Sequence, residues 1–452
     1  MLRRSPHPRR SRSLAAGAAA GALLLALTAC SSDDPAEAPA TGDGGAPGEP
    51  VELTFQSWVP NIDQAVDAFN AAHDDIQVEL ETITAGPDGG YATMISAVEA
   101  GNAADVAQVG YSSIADFLLA DALEDITEHT AAHADTFTDW QWQTGVFDER
   151  VYAVPQAAGP LGMFYREDIF TELGLEAPET WDQFYEAAKV VRASDPDRYI
   201  AAFAFNQSPW MTGLAQQSGA QWFTVEGDAW NVDLTDESTT RVAELWQRMI
   251  DEDLVKIEAD MSSEWNADIQ NGDVLSWISG SWADAIVRGT APETAGSWGV
   301  AHVPQWDEDD ELVSATWDGG SSSVVLRGTE HPAEAAEFAL WLNSDPESVS
   351  ILTSVGAGWP AISDTSQIES LQDDPEVFDF YGGQNIWEVF AEADAAVDTS
   401  WTWPPLVSTL YASLTDNVST AIEDGTDLTE AYATTEADMR AALEQRGINV
   451  AD

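Results

Sequence analysis

The chain has 452 residues, with 79 Asp and Glu against 17 Lys and Arg, and its formal net charge is −62. Nucleic acids and anionic lipids are bound through Lys and Arg, so this balance argues against both as partners. The acidic surface is interpreted as a solvated shell that keeps the protein soluble, with cation binding or repulsion of acidic substrates as the alternative.

The first 29 residues have the features of a secretory signal. Residues 1–13 contain five arginines and no acid, and residues 14–27 are only Leu, Ala and Gly. This apolar run is shorter than the roughly 20 residues that a bilayer span needs, and such a sequence is typical of a secretory signal. The sequence Leu27-Thr28-Ala29-Cys30 resembles the lipobox of bacterial lipoproteins. That resemblance implies that Cys30 receives a diacylglycerol and becomes the first residue of the mature chain.

Residues 30–50 are predicted to be a flexible tether between this lipid anchor and the fold. Residues 33–50 contain only Asp, Glu, Pro, Ala, Gly and one Thr, a composition that cannot bury enough apolar surface to fold. Because Cys30 is the only cysteine, no intrachain disulfide can form, and stability must come from a hydrophobic core. About 400 residues are enough for two domains.

The residues after the tether alternate between two hydrophobic periods. Strand-like alternation covers residues 51–55 and 76–80, and a short apolar segment covers residues 105–109. Helical spacing covers residues 62–69 and 91–98. The order β-α-β-α-β predicts a parallel sheet with right-handed crossovers. No G-x-G-x-x-G follows the first strand, so a dinucleotide site there is excluded.

The middle of the chain carries the most specific pattern. Residues 147–192 read FDERVYAVPQAAGPLGMFYREDIFTELGLEAPETWDQFYEAAKVVR. This segment resembles the central signature of the extracellular solute-binding proteins, family 1, of carbohydrate ABC transporters, in their actinobacterial lipoprotein form. The matching residues are Tyr152, Pro155, Tyr165, Asp168, Phe170, Gly174, Leu175, Pro178, Thr180, Trp181 and Asp182. Thr180 and Gln183 also form a capping box, which predicts a helix with Trp181 on its buried face.

Other segments follow in the order of the same family, and together the resemblance spans about residues 51–445. They are the strand at 105–109, the segment from Gly272 to Trp282, the strand from Gly299 to Pro304, the turn Trp317-Asp318-Gly319-Gly320 and the helix that begins at His331-Pro332. Leu275 and Ser276 depart from the usual Ala-Met of this family.

The resemblance implies an α/β, two-lobed periplasmic-binding-protein-like fold of type II, with the ligand cleft between the lobes. Residues 51–155 and about 307–355 are predicted to form the N-terminal lobe. Residues 156–306 and about 356–452 are predicted to form the C-terminal lobe. Hinge closure would trap the ligand, and the closed protein would dock on a permease that works with a separate cytoplasmic ATPase. The chain has no P-loop of its own, since neither lysine follows the required glycines.

Nineteen tryptophans suggest a sugar ligand, because C–H faces of sugars stack on aromatic rings while hydroxyls need polar acceptors and donors. Most of the nineteen are expected to fill cores, and Trp246 and Trp341 are assigned there because they lie within helical patterns. Three groups of residues are candidates for ligand contact. They are residues that follow predicted strands, residues of the turn that the family resemblance places at the cleft, and aromatic residues in loops. The predicted ligand-binding residues are Trp58, Tyr111, Gln156, Asn206, Trp210, Trp282, Asp284, Trp317, Asp318, Trp359 and Trp401.

The sequence predicts a receptor rather than an enzyme. No G-x-S-x-G elbow is present, and the single cysteine lies at the lipid position. His129 and His133 are four residues apart but lack the pattern of a metal site, so no metal or cofactor is expected. The prediction is a monomeric, membrane-anchored extracytoplasmic receptor that delivers a mono- or oligosaccharide to an ABC importer. A secreted glycoside-active enzyme and a cell-surface carbohydrate adhesin are the alternatives.

Overall fold

The protein is described by a computed structural model, which covers residues 50–307 and 311–451. The signal, Cys30 and the tether predicted before residue 50 lie outside the described residues. Among the helices of the described ranges, none has both the length and the hydropathy that crossing a membrane requires.

Fourteen strands lie in the described residues. They are β1 (Val51–Ser57), β2 (Ile76–Thr82), β3 (Val106–Gly110), β4 (Val146–Phe147), β5 (Arg150–Val151), β6 (Ala153–Arg166), β7 (Tyr199–Ala204), β8 (Phe223–Glu226), β9 (Ala229–Val232), β10 (Lys256–Glu258), β11 (Val274–Gly280), β12 (Trp298–His302), β13 (Thr316–Val325) and β14 (Trp359–Pro360).

Eighteen α-helices accompany the strands in the same ranges. They are α1 (Asp63–Ala72), α2 (Gly90–Ala100), α3 (Ile114–Leu119), α4 (Thr127–Thr130), α5 (Asp139–Thr144), α6 (Glu167–Leu173), α7 (Trp181–Ser194), α8 (Ser208–Gln217), α9 (Glu237–Asp251), α10 (Ser263–Asn271), α11 (Ala283–Thr290), α12 (Pro332–Ser344), α13 (Pro346–Ser354), α14 (Glu369–Gln372), α15 (Pro375–Phe380), α16 (Ile386–Ala395), α17 (Val407–Asp424) and α18 (Leu428–Gln445). Short 3-10 turns span Gly86–Asp88, Tyr111–Ser113, Ala131–Thr136 and Pro292–Thr294.

One large sheet has the strand order β10-β7-β11-β6-β13-β3-β1-β2, and β12 and β14 also pair with β6. Strand β1 pairs in parallel with both β2 and β3, which confirms the parallel β-α-β-α-β unit predicted from hydrophobic periodicity. Strands β7, β10 and β11 form a second parallel group at the other end of the sheet.

Strand β6 connects the two groups of strands. Its residues 153–158 pair with β13, which continues to β3, whereas its residues 161–166 pair with β11 and β12. We call the part built on β1, β2 and β3 the first lobe, and the part built on β7, β10 and β11 the second lobe. The predicted lobe boundary at residue 155 falls inside β6, and the predicted boundaries stay a prediction.

Each lobe is held by an aromatic core. In the first lobe, Phe69 of α1 packs on Phe338 of α12 with ring centroids 5.0 Å apart. In the second lobe, Trp181 of α7 packs on Trp246 of α9 with centroids 6.1 Å apart. Both of these tryptophans are buried, which confirms their assignment to the core.

Helix α7 begins where the sequence predicts. The Thr180 hydroxyl accepts a hydrogen bond from the Gln183 backbone N–H at 3.2 Å, which satisfies one of the free N–H groups of the first turn. The Gln183 side chain accepts from the backbone N–H of Glu179 rather than of Thr180, so the capping box is shifted by one residue. The helix is therefore fixed at the point where its Trp181 enters the core.

Candidate functional site

The two lobes meet where β13 crosses β6. Between Thr316, which pairs with Pro160, and Gly320, which pairs with Ala158, the register of the two strands shifts. Asp318 and Gly320 have φ angles of 58° and 134°, and a Cβ on Gly320 would lie 2.2 Å from the Ala157 carbonyl oxygen. Only glycine fits this position. The segment predicted as a turn before a strand is thus an irregularity inside β13, where the strand passes from one lobe to the other.

Three predicted tryptophans surround this crossing. The Trp282 and Trp317 rings pack edge to face with centroids 5.3 Å apart. Trp359, on β14, pairs with Ala158 of β6, and its backbone N–H donates to the Ser281 hydroxyl at 2.8 Å. Trp317 and Trp359 are almost buried, whereas Trp282 is partly exposed. Trp282 therefore presents indole surface to solvent next to the crossing.

The first lobe contributes aromatic side chains from the carboxyl ends of its parallel strands. Trp58 follows β1, is partly exposed and packs on Tyr91 at 5.9 Å between ring centroids. The Tyr91 hydroxyl accepts from the backbone N–H of Gly110 at 2.7 Å. Tyr111, which follows β3, is buried, and its hydroxyl donates to Gln141 Oε1 at 2.9 Å. The carboxyl ends of parallel strands are the usual position of ligand sites in open α/β sheets.

Asp318 is a buried carboxylate at the centre of the crossing. Its Oδ1 accepts hydrogen bonds from the Ser112 hydroxyl and, at 2.8 Å, from the Tyr411 hydroxyl. Burial raises the pKa of Asp318 to about 6, although these two hydrogen bonds lower it in part. Ser112 belongs to the first lobe and Tyr411 to helix α17, so Asp318 joins elements of both lobes.

Asp394 on α16 is a second carboxylate close to the crossing, and it is partly buried. Burial raises its pKa to about 7, and the neighbouring Trp359 and Trp140 side chains lower it in part. The Gln141 amide donates to Asp394 Oδ1 at 3.4 Å, a long hydrogen bond that leaves the carboxylate room for a further donor. Asp394, Gln141 and the neighbouring Trp140 and Trp359 thus form a patch with both apolar faces and polar acceptors.

The predicted residue Trp401 lies behind a second tryptophan of the same loop, Trp403. It is almost buried and packs on Trp222 at 5.5 Å and on Trp403 at 5.8 Å between ring centroids. Trp403 is partly exposed, and its indole nitrogen lies 3.4 Å from the position that a Cβ on Gly319 would take. Trp403, rather than Trp401, is therefore the tryptophan of this loop that faces the crossing.

Two predicted site residues are engaged in internal polar contacts. Gln156 is buried between Ser321, whose hydroxyl donates to its Oε1 at 3.0 Å, and Asn343 of α12, whose Oδ1 accepts from its amide at 3.3 Å. Asp284 is fully buried and bound through both oxygens by Arg288, one helical turn later, with distances of 2.8–3.1 Å. Both side chains hold helices in place, and we leave them out of the candidate site.

Two further predicted residues lie inside the second lobe, away from the crossing. Trp210 is buried against Trp246, with ring centroids 4.9 Å apart. Asn206 accepts from the backbone N–H of Asp260 at 2.8 Å. Both residues follow β7, as the sequence predicts, but Trp210 lies on α8, whose residues are all buried, and it packs into the core of the lobe. They too are left out of the candidate site.

The structure brings in residues that sequence reasoning did not select, namely Tyr91, Trp140, Gln141, Asp394, Trp403 and Tyr411. In the sequence, Tyr91 is only part of a helical pattern, and no pattern indicates where Trp140 lies. A Tyr or Asp within a helix carries no local signal for a ligand site, because its role depends on which helix end faces the cleft. Within the described ranges, no group of three or more His, Cys, Asp or Glu has the geometry to hold a metal ion.

The crossing strands and the aromatic and acidic residues around them are those of a two-lobed ligand-binding protein. The model of the family "bacterial extracellular solute-binding protein" matches residues 55–348, and the chain belongs to this family. Both the predicted family and the predicted two-lobed α/β fold class are thereby confirmed.

Individual relatives agree with this assignment. The chain is 27% identical over 264 residues to a lactose-binding protein of Rhizobium radiobacter, an alignment that covers 57% of this chain and 60% of the relative. It is 24% identical over 362 residues to an arabinooligosaccharide-binding protein of Halalkalibacterium halodurans, covering 76% and 78% of the two chains. The alignment with the lactose-binding protein thus spans less than two thirds of that protein.

Among solved structures, the galacto-N-biose/lacto-N-biose I-binding protein of a Bifidobacterium longum ABC transporter, in complex with lacto-N-biose, superposes with a TM-score of 0.81. Its sequence is 25% identical, and the match covers 89% of this chain and 100% of that one. The fold and the order of its elements are therefore those of a solute-binding protein.

Proposed function

We propose that this protein is an extracytoplasmic receptor that binds a neutral mono- or oligosaccharide between its lobes and delivers it to an ABC importer. The observation that carries the proposal is the set of partly exposed tryptophans around the crossing of β6 and β13. Trp58 comes from the first lobe, and Trp282 and Trp403 come from the second. The relatives named for lactose, arabinooligosaccharide and lacto-N-biose support a sugar as the ligand class.

The chemistry of the patch suits a polyhydroxylated ligand. Indole faces stack on the C–H faces of a sugar ring, and a partly buried carboxylate such as Asp394 can accept hydrogen bonds from sugar hydroxyls. Acidic or phosphorylated ligands would instead require Arg or Lys for bidentate or charged contacts. Both lysines of the chain are paired with carboxylates within the second lobe, Lys189 with Glu186 and Lys256 with Asp268. These features favour a neutral sugar.

The mechanism follows from the two strands that both lobes share. Rotation at the crossing would bring the two aromatic walls together on the sugar and exclude water from it. The permease would then recognise the closed shape, and a separate ATPase would supply the energy. The protein needs no catalytic group for this task, so we propose that it is a binding protein and not an enzyme.

A thermal-shift screen tests the proposed ligand class. The purified chain is heated with lactose, lacto-N-biose or arabino-oligosaccharides, and binding should raise its melting temperature by linkage. The same mixtures are then analysed for hydrolysis products. No shift with any sugar would contradict the receptor, and turnover would favour a glycoside-active enzyme instead.

We also propose that Cys30 anchors the mature chain to the outer face of the cell membrane and that the protein acts as a monomer. The lipobox-like sequence that ends at Cys30 supports the anchor. An anchor also fits the proposed role, because a receptor without one would diffuse away from its permease. Cys30→Ser should move the protein from the membrane fraction to the medium. Retention of the variant in membranes would contradict the lipid anchor.

A further inference from the structure

Helix α17 begins with an unusual arrangement of residues. The residue before it, Leu406, has a left-handed φ of 66° and a hydrocarbon side chain that cannot cap the helix. Asp116 on α3 supplies the cap from a distant part of the chain. Its Oδ1 accepts from the Leu406 N–H at 2.7 Å, and its Oδ2 accepts from the N–H and hydroxyl of Ser408 at 3.1 and 2.8 Å. A carboxylate is the group that a helix N-terminus favours most.

The two partners of this contact belong to different lobes. Helix α3 packs through Ile114 and Phe117 into a cluster that includes Val109 of β3, in the first lobe. Helix α17 packs through Leu410 and Leu414 into the core of the second lobe. Asp116 therefore caps a helix that is not part of its own lobe.

A second contact lies on the same pair of segments. Ser112, just before α3, and Tyr411, one turn into α17, both donate to Asp318 Oδ1 on the shared strand β13. The ends of α3 and α17 are thus joined at two points, one direct and one through the crossing strand.

We propose that Asp116 and the N-terminus of α17 form an interlobe clasp, which sets how often the empty protein is closed and how fast a bound sugar leaves. The clasp is a positioning device, because none of its atoms needs to touch the ligand. If the lobes separate, the N–H groups of Leu406 and Ser408 lose their acceptor and must be solvated. Closure recovers these charge-assisted hydrogen bonds. The statement about the sugar rests on the proposed function, whereas the statement about the empty protein does not.

The size of the effect follows from known losses of helix caps. Removing a capping side chain changes an equilibrium by roughly threefold to thirtyfold. Asp116→Ala should therefore raise the open-to-closed ratio by about tenfold and speed sugar dissociation by a similar factor. Asp116→Asn keeps one acceptor oxygen without the charge and should have an intermediate effect, and Ser408→Ala removes one hydrogen bond and should have the smallest.

The experiment measures the distance between the lobes without sugar. Cysteines at the exposed positions Asp88, in the first lobe, and Glu226, in the second, carry a fluorescence donor and acceptor in the secreted chain with Cys30→Ser. The matched control is Asp427→Ala. Asp427 caps α18 by accepting from the Thr429 N–H at 2.9 Å, entirely within the second lobe.

Asp116→Ala should lower the energy transfer between the dyes, with Asp116→Asn and Ser408→Ala changing it in the same direction by less. Asp427→Ala should lower the melting temperature without changing the energy transfer. The clasp is refuted if Asp116→Ala shows the same energy transfer as the parent. If Asp116→Ala does not fold, the same result with Ser408→Ala refutes it. Because no sugar is present, this result stands apart from the thermal-shift screen, and either proposal can fail alone. Sugar dissociation from the variants is then followed by Trp fluorescence with whichever panel sugar binds the parent.

Discussion

Replacing Asp318 with Asn should change the pH dependence of stability in a defined direction. Burial raises the pKa of Asp318 from 3.8 to about 6 in the folded protein. The folded state therefore holds this proton more tightly than the unfolded state does. The contribution of Asp318 to the free energy of unfolding falls as pH rises from about 4 through about 6, and is then constant. In Asp318→Asn this contribution is absent, and the amide oxygen can still accept from Ser112 and Tyr411.

The magnitude follows from the size of the shift. One pKa unit corresponds to about 1.4 kcal/mol. For a shift of about two units, the free energy of unfolding changes by about 2 kcal/mol between pH 4 and pH 8, because the carboxyl of the unfolded chain is already partly ionised at pH 4. For a fold of about 400 residues this is on the order of 2 °C in melting temperature. Relative to the parent, Asp318→Asn should therefore gain about 2 kcal/mol of stability as pH rises over this range.

The assay is differential scanning calorimetry of both proteins across this pH range. Asp260, Asp394 and Glu258 also have raised pKa values, but they are present in both proteins, so their effects largely cancel in the difference. Asp125 gives a control of opposite sign, because the hydrogen bond from Thr127 lowers its pKa. A difference between Asp318→Asn and the parent that is flat with pH, or that falls as pH rises, would refute the account of Asp318 as a buried acid.

Three further sets of substitutions separate ligand contacts from structural roles. Trp58→Ala and Trp282→Ala should each weaken sugar affinity by about 1–3 kcal/mol, by analogy with the stacking of bases on aromatic rings. The control Trp246→Ala, in the core, should instead lower the free energy of unfolding by about 3–5 kcal/mol. Unchanged calorimetric affinity in both cleft variants would contradict the site. Asp284→Ala leaves the partly buried Arg288 without its carboxylate partner, so it should destabilise the fold by about 3 kcal/mol while the sugar affinity of the folded fraction stays unchanged. A loss of affinity with normal stability would return Asp284 to the site. Gly320→Ala should destabilise the crossing by about 3 kcal/mol in urea unfolding, because its Cβ would meet the Ala157 carbonyl. The control Gly227→Ala, with a φ of 68° and open space around it, should lose only about 1 kcal/mol of stability. Equal losses would contradict the steric argument.

The elements of the first lobe could be predicted from the sequence because each has a clear hydrophobic period. Alternation at residues 51–55 and 76–80 and helical spacing at residues 62–69 are local signals, and the structure contains β1, β2 and α1 at these places, with β1 and β2 parallel. The helix at Pro332–Ser344 was likewise marked by its proline in the first turn. The family resemblance supplied the two-lobed arrangement that periodicity alone does not specify.

The candidate site could be predicted only in part, because it is made of residues that are distant in the sequence. The segment around Asp318 was selected, but its partner Ser112 lies 206 residues before it and its partner Tyr411 lies 93 residues after it. Trp210 follows a strand as a ligand contact would, yet α8 turns it into the core. Tertiary packing decides which polar or aromatic residue after a strand remains open to a ligand, and that packing has no local signature.

The most direct test of the account is a crystal structure with the sugar that gives the largest thermal shift. The account predicts that the sugar ring lies between the lobes, stacked on Trp282 or Trp58, with a hydroxyl that donates to Asp394. It also predicts that Asp116 still caps α17 in the closed complex. A sugar bound outside the crossing of β6 and β13, with none of these tryptophans in contact, would contradict the central claim.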